Sequence, residues 1–202
     1  MARAPRLPRS GIPRIAAHHP GPIVGLDVET AAPTHGAICA LGVALVLRGE
    51  VIRERHWYLN PQVRFDPRFI AIHGITPDRV AGAPTLAATW SSVLEFIQNS
   101  VEETRAPKLF PDADAGDPAP LFVAHNASFD RLQIERALGT PLPFRVACTV
   151  AMSRRAFPRL ARHNLASVSA HLSIPLQHHD ALSDARACAL IAARCIEVGS
   201  GA

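Results

Sequence analysis

The chain has 202 residues, 48% of them hydrophobic, and a formal net charge of +4 from 21 Lys and Arg against 17 Asp and Glu. That length and apolar fraction suit one folded domain with tails, and no apolar run is long enough to cross a bilayer as a helix. The basic excess is almost all arginine, since Lys108 is the only lysine. Arginine suits a polyanionic partner, but a codon bias yields the same excess, so charge alone decides nothing.

Residues 1–22, "MARAPRLPRSGIPRIAAHHPGP", are rich in Pro and Arg, contain no acid, and read as a disordered tail. They lack the apolar segment of a secretory signal. Cys39, Cys148, Cys188 and Cys195 show no Cys-x-x-Cys spacing and read as reduced, mostly buried thiols of a cytoplasmic protein.

From Ile23 to about residue 199 the pattern predicts a single domain. "PIVGLDVET" and "ICALGVALVLRGEVIRERHWYLN" give three consecutive strands in an antiparallel meander, with a turn at Arg48-Gly49-Glu50. "DPRFIAIHGIT" reads as a short helix ended near Gly74. "APTLAATWSSVLEFIQNS" predicts a helix capped by Thr85, with Leu86, Trp90, Val93, Leu94 and Ile97 on one face. Residues 102–120, rich in Pro, Asp and Gly, read as a mobile loop insertion. "LFVAH" is a strand, "NASFDRLQIERAL" a helix capped by Asn126, and "FRVACT" another strand followed by a short helix. "HNLASVSAHL" is a helix capped by Asn164, and "DALSDARACALIAARCIEV" closes the chain as a long helix. The order predicts an α/β domain of three layers around a mixed sheet.

The chemistry concentrates in three segments. In "IVGLDVET", Asp27 and Glu29 sit two apart on a strand, so they project from one face and repel each other unless a cation lies between them. Flanking Ile23, Val24, Leu26 and Val28 make the strand a covered one. A divalent ion with a preference for hard oxygen resolves the conflict, although an exposed strand end with two solvated acids would carry the same tripeptide. In "HNASFD", Asp130 falls in the first turn of a helix, where the helix dipole alone would favour it. In "HHDALSDA", Asp184 shares a helix face with Cys188, Ile191 and Cys195, which should face the core. His179 lies at the mouth of that helix, where an imidazole can reach a water; His178 beside it reads as solvated or substrate-touching. A zinc site from His163, His178 and His179 is disfavoured, because no cysteine pair accompanies them.

The set "LDVET", "HNASFD" and "HHDALSDA", with "IHGIT" between the first two, resembles the motifs of the DEDDh 3′–5′ exonucleases. This is the family of the proofreading subunit of bacterial DNA polymerase III and of ribonuclease T. The resemblance covers residues 23–197 and implies a ribonuclease H-like fold. It also implies that Asp27, Glu29, Asp130 and Asp184 hold two divalent ions, Mg²⁺ or Mn²⁺, with His179 as general base. One ion would then activate water and the other would stabilise the leaving 3′ oxygen, releasing 5′-mononucleotides. Thr30, His73, Asn126 and Phe129 are expected to face the substrate, as a stacking and backbone-binding surface for a strand end.

The expected partners are single-stranded or frayed DNA 3′ ends, with RNA open, because 2′-hydroxyl discrimination is not legible here. A loose association with a DNA polymerase also stays open: the chain ends soon after its closing helix, so a polymerase-docking tail is not expected. A third reading, a catalytically silent module that binds nucleic-acid ends, is disfavoured, because pure binding needs no such concentration of acids.

Overall fold

The computed structural model describes residues 21–104 and 118–200. The tail expected at the N-terminus and the centre of the expected loop insertion lie outside the described residues. Three strands open the domain: β1 (Ile23–Thr30), β2 (Ile38–Leu47) and β3 (Glu50–Tyr58). β1 pairs antiparallel with β2 and β2 with β3, which is the expected meander. Arg48 (φ 51°) and Gly49 (φ 82°) both take left-handed backbone at the β2–β3 turn, as a two-residue hairpin of this twist requires.

Three helices follow: α1 (Pro67–His73), α2 (Pro77–Val80) and α3 (Leu86–Glu103). Gly74 ends α1 in the left-handed region at φ 73°, and the Thr85 side chain caps α3 through Ala88 N. α3 runs on to Glu103, so residues 102 and 103 are helical and not part of a loop. Its buried face is Leu86, Thr89, Val93, Ile97, Ser100 and Val101, with Trp90 and Leu94 only half-buried. Thr89 and Ser100 belong to that face because their hydroxyls return to the helix's own carbonyls, at Thr85 and Phe96.

The remaining elements are β4 (Leu121–Ala124), α4 (Ser128–Leu138), β5 (Val146–Cys148), α5 (Thr149–Ala156), α6 (Leu165–His171) and α7 (Ala181–Ser200). β4 lies parallel to β1 and β5 parallel to β4, giving a five-stranded mixed sheet in the order β3-β2-β1-β4-β5. Asn164 caps α6 through Ser167 N, as expected. Asn126 does not cap α4: it takes left-handed backbone at φ 65°, and Ala127 occupies the cap position.

Strand alternation divides the core into two. Val24, Leu26 and Val28 join Leu41, Val43 and Leu45 in one cluster with Val93 and Ile97 of α3 and Ile134 of α4. The other face carries Ile23, Val46 and Val123 against Ile191, Ala192 and Cys188 of α7, together with α5 and α6 residues. Small residues let α7 lie unusually close to the sheet. A Cβ on Gly25 would stand 2.0 Å from the Ala185 carbonyl oxygen, and one on Gly42 2.0 Å from that of Ala181. Ala185, Ala189 and Ala192 are fully buried on the matching helix face. Cys39, Cys188 and Cys195 are buried free thiols, whereas Cys148 is only half-buried because it sits on the edge strand.

Candidate active site

Asp27 and Glu29 project from β1 towards α7, on the same side as Gly25. In the sheet, Asp27 is paired with Gly42, and that glycine lets the start of α7 descend onto the sheet. Asp184, in the first turn of α7, therefore comes down onto the two strand acids. One carboxylate oxygen from each of Asp27, Glu29 and Asp184 lies within 4.8 Å of the other two. Asp130 approaches from the first turn of α4, outside that group of three but near enough to raise Asp27 and Glu29, and its Oδ1 accepts a hydrogen bond from Val28 N at 3.3 Å. The cluster lies at the carboxyl ends of the parallel strands β1 and β4, where ligands of open α/β sheets bind.

Four carboxylates in this space are unfavourable by themselves. Burial, reinforced by Asp130, Asp184 and Glu29, pushes Asp27 well above the usual carboxylate range. Burial and then Asp184 raise Glu29 to about 8, and burial raises Asp130 to about 7. Asp184 is also raised by burial, against the opposing pull of His178. Asp184 Oδ1 is buried without any hydrogen-bond partner. A group that would satisfy that orphaned oxygen, neutralise the cluster and accept an all-oxygen donor set is a hard divalent cation. The residues present fit one.

Asp184 Oδ2 is occupied differently. It accepts from His178 Nδ1 at 2.9 Å and from the His179 backbone amide at 3.2 Å. The imidazoles of His178 and His179 stack at 4.0 Å with 15° between their planes. Their nitrogens and Asp184 form a second compact group. An ion bound through a ring nitrogen lies in that ring's plane, and two stacked planes cannot share one. The stack therefore positions side chains and is not a metal site in this arrangement. His179 is exposed, has φ 67°, and is held below the usual imidazole range by desolvation and by His178. His163, the third member of the disfavoured zinc set, is turned to Ser153 Oγ at 3.0 Å.

The residues expected to face a substrate separate into two kinds. Phe129 is 42% exposed beside Asp130 and presents free apolar surface, as does Ile72 of α1, which is not one of the four but is 52% exposed. His73 is tied on both ring nitrogens: Nδ1 accepts from Ile75 N at 3.0 Å, which leaves Nε2 to donate to the Thr30 carbonyl at 3.1 Å. The side chain thus fastens the end of α1 to the end of β1. Thr30 is buried, next to a register shift in the β1–β2 ladder. Asn126 Oδ1 accepts from Ser128 Oγ at 3.4 Å, and the Asn126 carbonyl accepts from Phe129 N at 2.9 Å. Asn126 therefore shapes the turn that carries Asp130.

Two further residues of the quoted segments are positioning groups, His125 of "HNASFD" and Asp180 of "HHDALSDA". His125, half-buried and lowered by desolvation to about 4, donates from Nε2 to the His163 carbonyl at 2.9 Å and meets Thr149 Oγ1 at 2.9 Å through Nδ1. It thereby locks the strand end before Asp130 to α5 and the loop that follows. Asp180 Oδ1 accepts from Ser183 N at 2.8 Å, fixing the first turn of α7. An isolated Gly inside a strand signals close backbone approach, so Gly25 and Gly42 had a sequence signal. The His178–Asp184 bond crosses a loop and had none.

The sequence profile of the RNase T exonuclease family matches residues 24–192. The PolC-type DNA polymerase III of Clostridium perfringens (strain 13 / Type A) is 30% identical over 174 residues, covering 83% of this chain and 11% of that protein. The chain thus spans about a tenth of the length of the curated relatives it matches. Exonuclease X in complex with 5′ overhanging duplex DNA superposes with a TM-score of 0.57 at 24% identity, covering 87% of this chain and 90% of that one. The nuclease domain of 3′hExo, a DEDDh family member bound to rAMP, gives 0.64 at 18% identity, covering 86% and 90%. These likenesses identify the fold as ribonuclease H-like.

Proposed function

This chain belongs to the RNase T exonuclease family, and from that premise we propose that residues 23–199 form a metal-dependent 3′–5′ exonuclease domain that removes 5′-mononucleotides from DNA ends. The observation that carries the reading is the convergence of Asp27, Glu29 and Asp184 around a buried, unpartnered carboxylate oxygen. Members of this family use divalent metal ions, and Mg²⁺ or Mn²⁺ suits the donors here. Asp27, Glu29 and Asp184 would hold them directly, with Asp130 completing the cluster. When bound, such ions supply charge neutralisation at the scissile phosphate and activation of water.

The chain's own groups do the rest. His179, kept neutral at its exposed position, accepts the proton of the attacking water. Phe129 and Ile72 offer apolar surface for the terminal bases, as single-strand binders require. The joints made by His73 and His125 hold the two loops that carry these groups. A polymerase partner is part of the reading, because the relatives include PolC-type polymerases.

The test incubates labelled single-stranded DNA, frayed duplex DNA and RNA with Mg²⁺ or Mn²⁺, using wild type, Asp27→Ala and His179→Ala. Mononucleotide release from DNA by wild type alone is expected, with His179→Ala retaining metal binding. Release mainly from RNA would reassign the substrate to RNA. Binding without release under either metal would leave only an end-binding module.

A further inference from the structure

From Arg136 to His179 the sequence contains no Asp or Glu, yet it contains Arg145, Arg154, Arg155, Arg159 and Arg162 besides Arg136. Four of these, Arg154, Arg155, Arg159 and Arg162, fall on the end of α5 and the loop after it, and all four are exposed. The arginines that form ion pairs among the described residues are Arg53, Arg68, Arg131, Arg186 and Arg194, and none of these four. Most acids outside the site gather elsewhere, with Glu50 and Glu54 on β3, Glu102 and Glu103 on α3 and Glu197 on α7, while Glu135, which accepts from Leu142 N ahead of β5, is paired with Arg131. The β5 edge of the sheet is therefore basic.

That edge is joined to the active site. α5 starts where Cys148 of β5 pairs with Ala124 of β4, one residue before His125. The chain then returns, and the His163 carbonyl meets His125 Nε2 at 2.9 Å while the His163 ring meets Ser153 Oγ. Arg162 is thus adjacent to the residue that braces the strand end below Asp130. Arg154 and Arg155 lie in the last turn of α5, roughly 8 Å further along a helix that rises about 1.5 Å per residue. Arginines in a final helical turn are favoured by the helix dipole. Arg159 and Arg162 lie outside any helix, so the dipole does not account for them.

We propose that Arg154, Arg155, Arg159 and Arg162 form a binding track for the phosphodiester backbone of a single nucleic-acid strand whose 3′ end occupies the acidic site. The inference rests on the nuclease reading for where that end lies. An acidic cluster repels an incoming polyanion, and a line of unpaired guanidiniums leading away from it offsets that repulsion and steers approach. Guanidinium also matches phosphate oxygens bidentately.

The test is equilibrium binding of a fluorescein-labelled oligothymidylate in EDTA, where no turnover occurs, as a function of NaCl concentration. Arg155→Gln/Arg159→Gln/Arg162→Gln is compared with wild type and with a control carrying the same charge change elsewhere, Arg48→Gln/Arg53→Gln/Arg194→Gln. For single strands the slope of log K against log salt changes by about 0.7 per phosphate engaged. The track variant is expected to lose about 2 from the wild-type slope, and each single substitution about 0.7, with the control unchanged. With metal present, the advantage in kcat/KM of a long oligothymidylate over a dinucleotide should collapse in the track variant.

Equal slope changes in track variant and control would reduce the effect to net charge and overturn the proposal. An unchanged slope, or a wild type that binds no oligothymidylate, would also overturn it. A wild type that binds steeply but releases nothing with either metal keeps the track and removes the hydrolytic reading. Hydrolysis that persists beside an unaltered variant slope removes the track alone.

Discussion

Gly42→Ala tests the link between sheet packing and the acidic cluster. The added Cβ would stand 2.0 Å from the Ala181 carbonyl oxygen, 2.3 Å from its carbon and 2.6 Å from Leu182 N, all backbone atoms that no rotamer change can move. Ordinary contact begins at 3.4 Å, so the first turn of α7 must retreat by about 1.4 Å. Asp184 rides on that turn and moves away from Asp27, which neighbours Gly42 in the sheet. Overpacking of this kind costs about 1–3 kcal/mol. For a domain of this size that lowers the melting temperature by roughly 2–12 °C. A displacement near 1 Å costs about a hundredfold in turnover when catalytic groups must be aligned.

The assay pairs calorimetric unfolding with Mn²⁺ titration and single-strand hydrolysis. Gly82→Ala is the control, since its added Cβ meets nothing within 4 Å. The expectation is a destabilised protein with weakened Mn²⁺ binding and low turnover, beside an unaffected control. Full Mn²⁺ affinity and turnover in Gly42→Ala would refute the argument that helix approach sets the cluster.

Stability should also respond to pH in a direction opposite to that of ordinary carboxylates. Glu29 and Asp130 are raised to about 8 and about 7 in the folded chain, so the folded state holds protons that the unfolded state has released. The stability that these groups contribute is complete below their unfolded values and is lost as pH rises through about 7 to 8. Melting temperature of the metal-free protein should fall over that interval, and Mn²⁺ should flatten the fall; a pH-independent melting temperature without metal would contradict this. His178→Phe keeps a ring against His179 but loses the bond to Asp184 Oδ2. Losing an outer partner of a metal ligand costs about 10–100-fold in affinity, so Mn²⁺ binding by calorimetry should weaken by that factor, and an unchanged affinity would leave His178 without a positioning role.

Much of this molecule is local physics and so was legible in the sequence. Alternating strands, the Arg48-Gly49 turn, the Thr85 and Asn164 caps and the Gly74 stop each follow from neighbours a few residues away. The same holds for the shared face of Asp27 and Glu29, because strand side chains repeat every second residue. Placing Asp130 and Asp184 beside them required the motif resemblance, since nothing local says that two distant helices start at one sheet edge. The errors were also local in origin. The Asn126 side chain suits a cap, but the turn out of β4 puts that residue in left-handed backbone. Residues 102 and 103 suit a loop by composition, yet α3 continues through them.

Sequence alone determined the element order and the identity of the acids, because propensity, alternation and capping act over a few bonds. Tertiary structure alone decided that α7 is the element that approaches Gly25 and Gly42, that His178 takes one oxygen of Asp184 and leaves the other bare, and that His73 spends both nitrogens on backbone. Those outcomes depend on distances between groups far apart in the chain, which only the packed sheet and its helices fix.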